Sequence, residues 1–255
     1  MTEFPRQQTS MAAGWSRRMA AFSAVLLLTV WTGHHFGLVE TPAYLWVLAL
    51  VALLAALALL FSGWAFARLW SFGGHGGRDL SVGALIALLV LTPYAGASYR
   101  ALTLPPLHDI STDLDTAPAL ADGRSFEATP GEQRLQMEAY PLANSHHYSL
   151  PYTEAVSIVR NVFEQQGWAD MVVTELDDAE LRETLLTASA TSFILKLPVD
   201  VGVRITGDEE TSLVDMRSAS RYGRHDLGDN GDRIVGFLEE IEQAVAGLSG
   251  IAPGQ

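Results

Sequence analysis

The chain has 255 residues, which is enough for one large domain or two small ones, and it contains no cysteine. Residues 1–100 carry six Lys/Arg against three Asp/Glu, a net charge of +3, whereas residues 101–255 carry ten against twenty-six, a net charge of −16. The missing cysteines exclude disulfides, thiolate metal sites and cysteine nucleophiles. The acidic second part repels phosphate backbones and argues against nucleic acid as a partner.

The first part of the chain contains three apolar runs, each close to the ~20 residues that a membrane-spanning helix needs. They cover residues 19–39, 44–67 and 80–99. The sequence therefore predicts a membrane domain over residues 1–104 with three transmembrane helices. Arg17 and Arg18 before the first run also fit a signal peptide, but no small-residue cleavage site follows, which favours an uncleaved helix.

Basic residues in the short loops predict the orientation of these helices. Arginines precede the first run and also lie between the second and third, at Arg68 and Arg78. The loop near residues 40–43 has none. The N-terminus is therefore expected in the cytoplasm and the C-terminal domain in the periplasm of a bacterium, anchored in the inner membrane. The lipid bilayer is the first predicted partner.

Two groups of residues could be drawn as metal sites. His34 and His35 form a pair at the outer end of the first run, but no second histidine pair lies in the other runs, so we interpret them as a polar helix end. His108 with Asp109, Asp113 and Asp115 lacks the glycine and the distal glutamate of a calcium loop. No metal and no cofactor are predicted.

Residues 105–255 show the pattern of a compact α+β domain. Apolar residues at three- and four-residue spacing predict a helix over residues 153–166, and a second such stripe predicts a final helix from about Leu227. Between them, alternation predicts four strands, at residues 168–176, 182–193, 199–205 and 211–220. The predicted fold is α+β, with a helix, a four-stranded antiparallel sheet and a helix after three transmembrane α-helices.

Two details of this domain depend on weaker signals. Residues 121–150 show no clear period and are predicted to be a wrapping loop. A four-residue loop at residues 207–210 would place Val203 opposite Val214 and Asp200 opposite Arg217 in the following hairpin.

The stretch over residues 217–233 forms the corner between the last strand and the last helix. It contains four arginines, three aspartates and three glycines. Asp226 precedes the apolar stripe and is predicted to cap the helix with its carboxylate. Gly223 and Gly228 permit positive φ. The residues expected to shape this corner are Ser218, Ser220, Gly223, Asp226 and Gly228.

The same corner is the candidate binding site. Arg221 and Arg224 come just before a helix N-terminus, where free N–H groups and the helix dipole favour an anion. The predicted ligand-binding residues are Arg221, Arg224, Asn230 and Arg233. Nearby aspartates could instead hold these arginines in an internal ion-pair network, and this is the favoured alternative.

The corner also resembles a known family. The pattern Ser218-x-Ser220-Arg221-x-Gly223-Arg224-x-Asp226-Leu227-Gly228-x-Asn230-x-x-Arg233-Ile234 resembles the signature of the domain of unknown function 1499. The segment from Leu107 to Asp113 resembles that family's other motif, with Ala117 standing where a proline is common. The resemblance covers about residues 105–245 and implies a domain but no activity. His108, Asp109 and Asp113 of the second motif are expected to pack near the corner.

Two functions fit these residues. The first is a membrane-tethered binding or accessory module of the cell envelope, which recognises an anionic small molecule or an envelope protein. The second is an envelope hydrolase with His225 or His108 as its base. Ser218 or Ser220 with His225 and Asp226 would supply the residue types of a triad, but no nucleophile elbow is present, and no catalytic residue is assigned.

Overall fold

A computed structural model describes residues 11–72, 76–178 and 181–249. The chain divides into two compact units, one that ends at Tyr99 and one that begins at Arg100. Three helices account for most of the first unit, and the last turn of the third belongs to the second unit. These helices are α1 (Met11–His35), α2 (Thr41–Phe72) and α3 (Gly77–Thr103).

The first unit is packed through small residues. Ala20 of α1 and Ala55 and Ala58 of α2 are fully buried, and small side chains of this kind let helix backbones approach closely. The Ser16 hydroxyl donates to the Ala58 carbonyl at 2.9 Å and lies 2.6 Å from the Ser62 hydroxyl oxygen. Alanine and serine thus make many of the helix contacts, together with the buried Val51 and Val90, while other large aliphatic side chains lie on the outside.

Two of these helices, α2 and α3, are long and apolar enough to cross a membrane. Helix α1 does not meet the same measure of length and hydropathy, so the prediction of three spans is not confirmed. It begins at Met11, before the predicted start, and its buried face is Ala- and Ser-rich. At its end, His34 stacks on Tyr44 with 4.2 Å between ring centroids.

The second unit is built on one antiparallel sheet. The elements of this unit are β1 (Asp109–Ser111), α4 (Pro130–Ala139), β2 (His146–Tyr148), α5 (Tyr152–Gln165), β3 (Ala169–Asp178), β4 (Leu181–Thr191), β5 (Pro198–Gly207), β6 (Ser212–Ser220) and α6 (Asp229–Ser249). The strand order in the sheet is β1-β6-β5-β4-β3, and β2 also pairs with β6. The antiparallel α+β prediction is confirmed, but the number of strands was wrong: six are present within the described residues.

The missed elements lie in segments with weak sequence signals. Strands β1 and β2 have three residues each, too few for alternation to be recognised. The predicted loop over residues 121–150 contains helix α4 and β2. A capping box starts α4, since the Glu132 amide donates to Thr129 and the Glu132 carboxylate accepts from the Thr129 amide. The sequence Thr129-Pro-Gly-Glu132 carries this signal.

The predicted hairpin register was wrong by two residues. Val203 pairs with Met216, and Asp200 pairs with Ala219 and not with Arg217. The turn begins one residue later than predicted, because the Asp208 carboxylate accepts from the amides of Glu210 and Thr211, both at 2.8 Å. A shift of two residues leaves each side chain on its predicted face, so Val203 still points into the core.

The two faces of the sheet are covered differently. Helices α5 and α6 pack on an apolar face, where Phe163 and Phe237 meet edge to face at 6.1 Å between ring centroids. The opposite face carries charged side chains and is covered by the irregular segment over residues 112–128. Gly202 of β5 lies directly beneath the Ala119 carbonyl, so a side chain there would collide with that backbone.

We expect Gly202→Ala to destabilise the second unit by ~1–3 kcal/mol, because the added methyl group must push the covering segment away. Gly236→Ala in α6 is the matched control, since nothing lies within 4 Å of its added carbon. The control should be neutral or stabilising by up to ~1 kcal/mol, as alanine favours a helix. Hydrogen exchange of the β5 and β6 amides in the full-length protein measures the change in stability for both variants. Equal effects of the two variants would contradict the close packing at Gly202.

Candidate functional site

The charged face of the sheet is organised around Arg217, which is only 1% exposed. Its Nε and Nη2 donate to the two carboxylate oxygens of Asp109, at 3.0 and 2.7 Å. The guanidinium also donates to the carbonyls of Arg124, at 3.1 Å, and Ser125, at 3.0 Å. The Phe126 ring lies 5.3 Å from its central carbon. One side chain therefore joins β6, β1 and the covering segment.

A second ion-pair group surrounds Asp200, which is fully buried. Arg221 donates to both of its carboxylate oxygens, at 2.5 to 3.0 Å, and Arg124 Nη2 donates at 2.5 Å. The hydrogen bond to Asp200 is the main reason why the pKa of Arg221 is raised. Arg221 also donates to the Ser189 hydroxyl at 2.9 Å.

A third group surrounds Asp215, also fully buried. Arg204 Nη2 donates to Asp215 at 2.9 Å and to Asp113 at 2.8 Å. The hydroxyls of Thr112 and Ser145 donate to the other Asp215 oxygen. Partial burial works against ionisation of Asp113, but hydrogen bonds from Thr116, Asp115 and Arg204 outweigh it and hold its pKa at about 2. Asp113 therefore packs with Arg204 and not with the corner.

The other face of the corner is a hydrogen-bond cluster centred on Asn230, which is fully buried. The Ser218 hydroxyl donates to the Asn230 side-chain oxygen at 2.9 Å, and Arg233 Nη1 donates to the same oxygen at 3.1 Å. The Asn230 amide donates to the His108 carbonyl at 2.9 Å and to the Ser220 hydroxyl at 3.1 Å. The two motifs of the chain thus meet through backbone and amide groups.

The entry to α6 depends on Asp226. Its carboxylate accepts from the amides of Gly228 and Asn230, both at 2.9 Å, as a capping residue does. Burial raises the pKa of Asp226. Leu227 and Gly228 both have positive φ, at 59° and 83°. A side chain at Gly228 would meet Leu104 and the Tyr140 hydroxyl, so this position needs glycine for space as well as for conformation.

Three of the four predicted ligand-binding residues are occupied within the protein. Arg221 binds Asp200, while Asn230 and Arg233 belong to the hydrogen-bond cluster. Arg224 differs, because it is exposed and no described hydrogen bond involves its guanidinium. The arrangement fits the internal network for three of the residues, whereas Arg224 is exposed and its charge acts on Glu132.

Sequence reasoning missed the most buried charges of the site. Arg217 opened the polar stretch but was not among the candidate residues, and Arg124 and Asp200 were not considered as a pair. A usable signal was the alternation of β6, which puts Asp215, Arg217 and Ala219 on the face opposite Met216. Nothing in the sequence indicated that an irregular segment would bury that face.

His225 is not placed as the general base of a triad. The Leu227 amide donates to His225 Nδ1 at 3.1 Å, so this nitrogen carries the lone pair, and Nε2 donates to the Ala101 carbonyl at 3.2 Å. Both ring nitrogens are therefore used. Ser218 and Ser220 are buried and hydrogen-bonded in the Asn230 cluster, so neither hydroxyl is available as a nucleophile.

A cavity of about 270 Å³ lies beside the corner and is lined by charges of both signs. Hydrogen bonds from Thr129 lower the pKa of Glu132 there, helped by the positive charges of His108 and Arg224. The described residues contain no group of three His, Cys, Asp or Glu side chains that could hold a metal ion. The lining residues are Leu107, His108, Asp109, Arg124, Ser125, Glu127, Ala128 and Glu132.

The three corner arginines should differ in their effect on stability. Arg217→Ala leaves Asp109 buried without its partner and should cost ~3–5 kcal/mol. Arg221→Ala should cost less, because Asp200 keeps Arg124. Arg224→Ala should stay within ~0.5 kcal/mol, as expected for an exposed side chain. Denaturant unfolding of the full-length protein, monitored by hydrogen exchange of the β6 amides, ranks the losses of stability in the three variants. A large loss with Arg224→Ala would mean that this residue is structural.

The Asp113 carboxylate should make stability depend on acidity. Its folded pKa of about 2 lies below the ordinary value of 3.8, so its contribution to stability is present above pH 4 and is lost as the pH falls toward 2. We expect Asp113→Asn to be less stable than the parent at pH 6 and to approach it at pH 2. Thermal unfolding across this range measures the difference. A gap that is constant with pH would show that the carboxylate charge is not involved.

Comparison with known proteins places about half of the chain in one family. Residues 109–241 match the family model described as "Protein of unknown function (DUF1499)". This segment includes β1, the covering segment, the sheet and most of α6. No curated protein and no solved structure gave a significant match.

Proposed function

The chain belongs to the DUF1499 family, and we propose that it is a membrane-tethered recognition module, not an enzyme, which presents the family's α+β domain outside the cytoplasm. The single observation that carries the recognition role is the cavity beside the corner, which is bordered by one family motif and by the segment that covers the charged face. The membrane tether is supported separately, by the first unit.

The tether is supported by the outer surface of the three helices. Leu53 and Leu60 of α2 and Leu88 of α3 are more than half exposed, which suits lipid and not water. Arginines cluster at one end of the helices, where Arg17 Nη1 of α1 lies 2.8 Å from Asp79 of α3. Arg68 and Arg78 come from the same end. We propose that all three helices span the inner membrane of a bacterium, with α1 shielded from lipid on its small-residue face.

This distribution of arginines supports an N-terminus in the cytoplasm, because basic residues are retained on that side. Three crossings then place the second unit in the periplasm. Its negative charge and lack of cysteine are compatible with that compartment but do not select it.

A reporter that is active only in the periplasm should be active when fused at Gln255. A cytoplasmic reporter at the same position should be inactive, and moving the fusion to residue 75, between the second and third helices, should reverse both results. The same reporter pattern at both positions would contradict the three-span topology.

The cavity supports a small ligand that carries charges of both signs. Glu127 offers a carboxylate, whereas the Glu132 carboxylate is held by Thr129. The charge of Arg224, which acts on Glu132, supplies the opposite sign, and the His108 ring also lines the cavity. Asp109 and Arg124 also line the cavity but are already neutralised, by Arg217 and by Asp200. The positive charge would face a carboxylate or phosphate group of the ligand, and Glu127 would face an ammonium group.

This ligand class can be tested with small probes. Phosphoethanolamine and glycine betaine should bind the full-length protein more tightly than acetate or ethylammonium, which carry one charge each. Glu127→Gln should weaken binding by about tenfold or more, because a hydrogen bond to a charged group contributes ~1.5–3 kcal/mol. Calorimetry in detergent solution measures these affinities.

Glu138→Gln is the matched control, since Glu138 is an exposed residue of α4 that does not line the cavity. It should leave binding unchanged. Equal weakening by both variants, or binding of every probe with the same affinity, would rule out the cavity as the recognition site. The topology test would be unaffected by either result.

A further inference from the structure

The second unit has two opposite ends, which we call the proximal pole and the distal pole. The proximal pole contains the start of the unit (residues 100–108), the β4–β5 loop (residues 192–197) and the corner residues 221–228. The distal pole contains the β5–β6 turn, residues 208–211. Strands β5 and β6 run the length of the sheet between them, since Val199 pairs with Ser220 at one end and Gly207 with Ser212 at the other.

The proximal pole holds the first residues of the second unit. Residues 80–99 form the third proposed span, and the residues that follow at once are held on the proximal pole. Arg100 Nη2 donates to Asp232 at 2.5 Å, and the Ala101 carbonyl accepts from His225. These two contacts fix the first residues of the second unit to this pole. The inference that follows rests on the membrane tether proposed above.

An apolar loop is exposed at the same pole. Phe193 is 76% exposed, and the half-buried Ile194 and Leu195 follow it. The loop is fixed at its base, because the Phe193 amide donates to Asp229 at 2.8 Å and the Leu197 amide donates to the Ser192 hydroxyl at 3.0 Å. The loop therefore holds the aromatic ring of Phe193 away from the core and exposes it to the surroundings of the protein.

Asp229 and Asp232 connect the loop to the membrane-proximal residues. They lie three residues apart in the first turn of α6, which is ~4.5 Å along the helix axis. Asp229 holds the loop at Phe193, and Asp232 holds Arg100. The exposed ring and Arg100, the first residue of the second unit, are therefore attached to the same helical turn.

The two poles carry opposite charge. Lys196 and Arg224 lie at the proximal pole, although residues 101–255 have a net charge of −16. Arg221 and Asp226 of the same pole are already bound within the unit, by Asp200 and by the amides of Gly228 and Asn230. The distal turn reads Asp208-Glu209-Glu210 and has no basic residue. A surface of anionic lipid attracts the first pole and repels the second, so the charge distribution favours one orientation toward a membrane.

We propose that the proximal pole docks on the surface of an anionic phospholipid bilayer. Phe193 and Ile194 enter the interfacial layer, where aromatic side chains are favoured. Arg224, the exposed corner arginine, faces the lipid phosphates together with Lys196, whose ammonium lies 5.9 Å from the Phe193 ring centroid. The docked domain keeps its recognition cavity close to the membrane, because His108 belongs both to that cavity and to the proximal pole.

The chain has no cysteine, so a single introduced cysteine can report on docking in the full-length protein. Three variants, Ile194→Cys, Glu209→Cys and Leu53→Cys, are labelled with a polarity-sensitive fluorophore in vesicles of phosphatidylcholine and phosphatidylglycerol. Lipids with a quencher near the headgroup should quench the label at Ile194 and not the label at Glu209 in the distal turn. Leu53, exposed in the middle of α2, should be quenched by lipids labelled deep in the acyl chain.

Two further changes test the proposed contacts. Adding Phe193→Ser or Arg224→Ala to the Ile194→Cys protein should reduce the quenching, as should replacing phosphatidylglycerol with phosphatidylcholine. Equal quenching at Ile194 and Glu209, or insensitivity of Ile194 to all three changes, would overturn the docking proposal. If Leu53 is quenched in that experiment, the membrane tether stands alone; if Leu53 is not quenched, the tether itself is wrong.

Discussion

The buried pair of Arg217 and Asp109 is the constraint on which the second unit depends. A fully desolvated guanidinium is tolerated only when its donors are satisfied, and Asp109 with the carbonyls of Arg124 and Ser125 satisfies them. This requirement pins the short strand β1 beside β6 and holds the covering segment against the charged face. The cavity lies between these same elements, so its walls are set by the pair.

The two faces of the sheet are thus held by different interactions, apolar packing on one and ion pairs on the other. The helical face is an ordinary apolar core, where burial of aliphatic and aromatic side chains supplies most of the stability. The other face holds Asp200, Asp215 and Arg217 away from water. Their charged partners are Arg124 of the covering segment, Arg204 of β5 and Asp109 of β1, respectively. Ion pairs of this kind contribute little net stability but penalise every arrangement that leaves one partner unpaired. They select the path of the covering segment.

Most of the polar residues of the corner bind one another and not a ligand. Asn230, Arg233 and Ser218 form a closed hydrogen-bond cluster, and Arg221 neutralises Asp200. A dense polar motif at a helix N-terminus therefore serves mainly to build the domain. Arg224 stays exposed, and it lies at the same end of the domain as the exposed Phe193.

The sequence by itself determined the elements with long, regular patterns: the apolar helices α2 and α3, the four long strands, and helices α5 and α6. It also placed Val203 on the buried face, because a register error of two residues preserves the period. Only the tertiary structure decided which charges pair. Asp109 and Arg217 are 108 residues apart in the chain, and no local preference encodes such a contact. The partner of a buried charge is set by which segments the fold brings together, and periodicity carries no information about that.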